Sequence, residues 1–118
     1  MFTMIFIAAF IIANTVHAED KMLISDVDII VLNNAEMTSG RRAPPVPQLE
    51  CLRNCYNTPS EVTCTNNGKS DNGDPIWDCK ADLPSSVHFA TMNVQCEGYD
   101  YPDDPYILKN SCGLSYSL

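Results

Sequence analysis

A small, compact, mainly antiparallel β-domain stapled by disulfides is the fold class that the sequence predicts. Three observations predict it. All six cysteines, Cys51, Cys55, Cys64, Cys79, Cys96 and Cys112, follow an apolar N-terminal run. Short stretches of period-2 alternation each end at or hold a cysteine. Eight prolines and two Asn-Gly pairs break the chain too often for helices.

The N-terminal run is read as targeting. Ile5 to Ala13 is unbroken apolar sequence, and Val16-His17-Ala18 gives a small-x-small cleavage pattern. No Lys or Arg precedes the run. It falls short of the roughly 20 residues that cross a bilayer, so a cleaved signal peptide is expected over residues 1–18. Residues 19–118 then form one cysteine-rich β-domain. That part is leaner in apolar residues than the 45% of the whole chain. A small domain with a lean core gains most from covalent ties.

An even cysteine count behind a secretory signal reads as three disulfides, with the pairing left open among fifteen connectivities. Zinc is the poorer reading. Structural zinc sites bring ligands in close pairs, whereas here only Cys51 and Cys55 are near each other, and His88 is the sole histidine of the mature part.

In chain order, "MLISDVDIIVL" (22–32) reads as one strand, with Val27, Ile29 and Val31 on one face and Asp26 and Asp28 on the other. "NNAEMTSGRRAPPVPQLE" follows, where Gly40, Pro44, Pro45 and Pro47 predict an extended, partly polyproline-like connection. A cytosolic SH3-type ligand is set aside because the compartment is wrong. Strands are then expected in "EVTC" (to Cys64), "PIWDCK" (around Cys79), "VHFATMNVQC" (to Cys96) and "PYILKNSC" (to Cys112). Asn67-Gly68 and Asn72-Gly73 are expected turns with positive φ. Trp77 is read as core packing against a disulfide.

The densest acidic stretch is "CEGYDYPDDPY" (96–106). An EF-hand loop needs oxygen ligands at alternating early positions, a central glycine and a closing glutamate. Glu97, Asp100, Asp103 and Asp104 lack that spacing, so solvated turn acids are expected, with a weak calcium site of another geometry left open. The net charge of −8, with no basic stripe, works against nucleic-acid and anionic-membrane binding. The one basic cluster, Arg41-Arg42 after Ser39-Gly40, resembles a dibasic processing signal that would release residues 19–39 as a peptide. A structural role is the plainer reading. His88 has no expected nucleophile beside it, and no pair of carboxylates is arranged for acid–base work. No enzyme and no cofactor are expected. The only N-glycosylation signal is of the rare cysteine type, Asn110-Ser111-Cys112.

The order of segments is more specific than any one of them. "MLISDVDIIVL", "GRRAPPVPQLEC", "IWDCKADL", "VQCEGYD" and "YILKNSCGLSYSL" occur together with suitable gaps, over essentially Met22–Leu118. The chain resembles the lumenal domain of the store-operated calcium entry-associated regulatory factor family. The resemblance implies a non-enzymatic negative regulator of calcium entry at the endoplasmic reticulum, acting through protein–protein contacts. It implies stromal interaction molecule and the Orai channel assembly as partners, mainly through a cytosolic tail that follows a transmembrane helix. Exposed strand edges make a homodimer an expectation of the fold type.

The chain departs from the family pattern in three respects. Cys51 and Cys55 are closer together, "KSDNGDP" lacks an aromatic, and no apolar stretch long enough to span a bilayer follows the signal. "SYSL" is not a retrieval tail either. As written, the product would be lumenal or secreted, a fragment or a true short form. Two other readings stay open: a secreted disulfide-rich binding protein, and a peptide precursor cleaved at Arg41-Arg42.

Overall fold

The computed structural model describes residues 20–118; the signal peptide expected over residues 1–18 lies outside them. The described chain carries eight strands and one 3-10 turn: β1 (Lys21–Leu23), the turn (Ile24–Asp26), β2 (Ile29–Asn33), β3 (Leu49–Arg53), β4 (Glu61–Lys69), β5 (Pro75–Ala81), β6 (Thr91–Gln95), β7 (Tyr106–Leu108) and β8 (Gly113–Ser117). They form a ribbon β1-β7 and two three-stranded sheets, β2-β4-β5 and β3-β8-β6. The fold is mainly β, as the cysteine-punctuated alternation predicts.

In the first sheet both pairings are antiparallel, and Leu32 stands opposite Val62 while Ile30 stands opposite Cys64. Leu32, Val62, Cys64 and Cys79 are buried, with Ile30, Trp77 and Ala81 packed against them. Trp77 therefore packs where the sequence predicts, beside the Cys64–Cys79 disulfide.

The reading of Met22–Leu32 needs two corrections. The 3-10 turn splits that stretch, with the Val27 amide donating to the Ile24 carbonyl at 3.1 Å, and β1 leaves to pair with β7. The inward face is also the opposite one. Ile29 and Val31 are 59% and 56% exposed, whereas Leu32 is 1% exposed. Both faces of this strand are apolar, so alternation alone cannot choose between them; pairing of Leu32 with Val62 does.

A third correction concerns Asn67-Gly68. Both residues lie within β4, at a register shift between Asn66 and Lys69. Gly68, at φ 116, belongs to that irregularity, where the left-handed region suits glycine. The reversal comes later: Gly73, at φ 84, donates its amide to the Ser70 carbonyl at 2.9 Å.

The second sheet holds the elements that the sequence hid. β8 is its central strand, antiparallel to β6 but parallel to β3. Leu114 pairs with both Leu49 and Val94, and Tyr116 with both Cys51 and Met92. β6 begins at Thr91, and ahead of it the Val87 amide turns back onto the Pro84 carbonyl. Phe89 instead meets Tyr116 edge-on, with ring centroids 5.4 Å apart. Leu49, Leu114 and Tyr116 complete the buried cluster begun by the first sheet. Each fully buried aliphatic side chain in it contributes about 1.5–3 kcal/mol.

The cysteines pair as Cys51–Cys55, Cys64–Cys79 and Cys96–Cys112. Cys64–Cys79 joins directly opposite residues of β4 and β5. Cys96–Cys112 ties the residue after β6 to the residue before β8. Cys51–Cys55 closes a small loop at the outer end of β3.

Candidate functional site: a charged clamp on the acidic loop

Residues 36–48 form an irregular hairpin. Met37 bridges to Pro47, the Thr38 amide donates to the Val46 carbonyl at 2.7 Å, and the Val46 amide returns to the Thr38 hydroxyl at 3.0 Å. Three prolines stiffen its second arm. At the tip, Gly40 has no room for a side chain, since a Cβ there would collide with the Ala43 carbonyl. This geometry presents the amides of Arg41, Arg42 and Ala43 in one direction.

They converge on Glu97. Its carboxylate accepts the amides of Arg41 at 3.1 Å, Arg42 at 3.0 Å and Ala43 at 3.2 Å. The Glu97 amide in turn donates to Ser111 Oγ at 2.9 Å, and that hydroxyl donates to the Leu108 carbonyl. Burial alone would raise the Glu97 carboxyl. The amides of Arg42, Ala43 and Arg41, with the charge of Arg42, outweigh it and hold the group below its ordinary value.

The guanidinium groups reach the same loop. Arg42 donates from Nε and Nη2 to the Gly98 carbonyl at 2.9 and 2.8 Å. Arg41 donates from Nε to the Tyr99 carbonyl at 3.1 Å and pairs with Asp100 at 3.3 Å. Its guanidinium also lies 4.1 Å from the centre of the Tyr99 ring. Lys21 sits over Tyr99 and Tyr106, at 5.3 and 4.9 Å, and 3.9 Å from Asp100. Gly98 is buried and its missing Cβ makes room for the Tyr101 and Pro102 carbonyls.

Asp104 organises the far side of the loop. Its carboxylate accepts the amides of Asp100 and Tyr106, both at 3.0 Å. Desolvation opposes ionisation, and those two amides, with Lys21 and Arg42, lower its pKa. The stretch forms turns, and within it the partly exposed carboxylates of Glu97 and Asp104 also accept protein amides. Among the described residues no group of three or more His, Cys, Asp or Glu side chains is placed to hold a metal ion. Asp103 stays exposed, and His88 makes no side-chain hydrogen bond among the described residues.

A shallow cleft of ≈ 390 Å³ lies between the hairpin and β6/β8, lined by Thr38, Val46, Gln95, Glu97 and Ser115 among others. The dibasic step and the acidic loop, read separately in the sequence, are one structure. Opposite charge density was the only signal that could have linked them.

These features define a disulfide-stapled β-domain in which charged side chains do architectural work on a surface loop. The family to which it belongs follows from comparison. The family described as SOCE-associated regulatory factor of calcium homoeostasis matches residues 1–118, and the chain belongs to it. It is similar to store-operated calcium entry-associated regulatory factor of Xenopus tropicalis, with 42% identity over 85% of this chain and 32% of the relative. The counterparts of Dictyostelium discoideum and Homo sapiens are 40% and 41% identical over 89% and 84% of this chain, and 34% and 30% of their own lengths. The chain thus spans about a third of the curated relatives it matches.

Proposed function

We propose that this chain is the lumenal part of a negative regulator of store-operated calcium entry, acting by protein–protein contact at the endoplasmic reticulum and without catalysis. The family match over residues 1–118 carries the reading. Three disulfides on a lean core support an oxidising compartment. In this reading residues 1–18 are the signal and residues 19–118 the lumenal domain. The calcium-entry machinery, stromal interaction molecule and Orai channels, is the partner assembly, contacted mainly by a cytosolic tail.

Release of residues 19–39 as a peptide has less support. That segment supplies β1, β2 and the buried Leu32, so cutting after Arg42 would excise part of the core.

The test is functional exchange. Residues 1–118 replace the matching segment of a full-length relative, and calcium influx is followed after store depletion in cells lacking that relative. Restored damping of influx is the expected result. A chimaera that reaches the endoplasmic reticulum and leaves influx undamped would sink the proposal.

A further inference from the structure

We infer that Asn110 is an N-glycan acceptor whose use is gated by the Cys96–Cys112 disulfide. The inference rests on the lumenal reading above. Asn110-Ser111-Cys112 is an acceptor signal of the cysteine type, in which the residue two positions on must offer a proton to the acceptor machinery, as Ser and Thr do in the common form. A thiol can do this and a disulfide sulfur cannot.

The structure places the three residues very differently. Asn110 is exposed at the turn between β7 and β8, with φ 62. Its backbone carbonyl accepts the Ser39 amide at 2.8 Å, and its carboxamide makes no hydrogen bond among the described residues. A left-handed φ is open to asparagine, so a glycan on Nδ2 would leave the turn as it is. Ser111 and Cys112 are 7% exposed, and Cys112 is bonded to Cys96. The finished fold therefore withholds what transfer requires, and the reaction belongs to the interval before this bridge closes. Cys96 precedes Cys112 along the chain, so its thiol is already in place when Cys112 arrives.

In the transfer, Asn110 Nδ2 attacks the anomeric carbon of a lipid-pyrophosphate-linked oligosaccharide. The N–C bond forms, the carbon–oxygen bond to pyrophosphate breaks, and the lipid pyrophosphate leaves with that electron pair. Nδ2 loses one proton to the surrounding water, which balances the negative charge carried off by the leaving pyrophosphate. Bridge closure is the competing step: exchange with a disulfide-bearing oxidoreductase oxidises the Cys96 and Cys112 thiols and reduces the donor disulfide to two thiols. Asn110 also lines a cleft with Ile29 and Val31 of β2, the free edge of the first sheet. A glycan there would stand beside that exposed apolar edge.

The full chain is expressed in secretory eukaryotic cells, and its mass is read before and after peptide-N-glycosidase treatment. The expected result is a glycosidase-sensitive fraction that is lost in Asn110→Gln and increased in Cys96→Ser or with dithiothreitol during synthesis. Lys69→Thr, which puts threonine two positions after the exposed Asn67, reports independently on entry into the lumen. Glycan at Asn67 in that variant but none at Asn110, even under reducing synthesis, overturns the proposal and leaves the lumenal reading standing. Glycan at neither position overturns both. Equal occupancy in wild type and Cys96→Ser overturns the gate.

Discussion

Arg42 holds the loop of Glu97 at two points, although 55 residues separate Arg42 from Glu97. The Arg42 amide donates to the Glu97 carboxylate at 3.0 Å, while the Arg42 guanidinium grips the carbonyl of the next residue, Gly98, at 2.8 Å. The hairpin thus holds the acidic loop by its backbone as well as by charge. Geometry of this kind resists salt better than surface ion pairs alone, which are worth little.

A consequence is a pH dependence with a definite sign. The folded-state pKa of Glu97 is depressed, so its contribution is fully present above the ordinary value of 4.5 and is lost as pH falls through the lower folded value. Glu97→Gln should cost about 1 kcal/mol near neutral pH, a charge-assisted bond discounted for solvent. The gap between the two melting temperatures should close on acidification below that window. A gap that is constant with pH would refute the clamp.

Arg41-Arg42 should behave as a protected site. Limited trypsin digestion read by mass spectrometry should find exposed Lys69 and Lys80 cut before the bond after Arg42. Glu97→Ala should release three amides and speed that cut. Equal susceptibility in both proteins would mean that the clamp does not restrain the hairpin.

Gly98→Ala tests the steric part of the loop. An added Cβ meets the Tyr101 and Pro102 carbonyls, which are backbone and cannot swing away. A loss of at least about 1–3 kcal/mol is expected, the usual range for overpacking. Chemical denaturation measures it, and an unchanged midpoint would refute this close packing at Gly98.

The three disulfides should differ in both accessibility and worth. Cys55 is exposed, whereas Cys64 and Cys79 are 0% and 5% exposed. Graded reduction with alkylation and mass mapping should open Cys51–Cys55 first. Removing Cys64–Cys79, which closes a 15-residue separation, should cost about 3 kcal/mol. Removing Cys51–Cys55, with a separation of 4, should cost about 2 kcal/mol in the same loop-entropy picture.

Much of this was legible from local chemistry, and the misses share a cause. Strands β4 and β5 and the turn at Gly73 follow from alternation and Asn-Gly signals within one short window. β3 and β8 did not, because a five-residue strand such as "GLSYS" shows its role only against partners far along the chain. The inverted face of β2 is a choice between two apolar faces that only Val62 and Cys64 decide. The clamp was the least legible part. Arg41 and Asp100 each look like ordinary surface charges until the Pro-rich hairpin and the Gly98 loop are brought together. What the sequence could supply was the class of residue in each loop; the contact between them is tertiary.

The place of β8 between β3 and β6 has a kinetic consequence. Neither flanking strand can complete its ladder until residues 113–117 arrive, and the β3 pairing closes a loop that contains β4 to β7. Contacts of such long reach pay their chain entropy before they return any binding energy. The first sheet, whose β4 and β5 are joined by a short turn, can assemble early and wait. Its inner face, with Leu32 and Val62, stays uncovered during that wait. In that order of assembly, the half of the core carried by the first sheet is covered only when β8 docks.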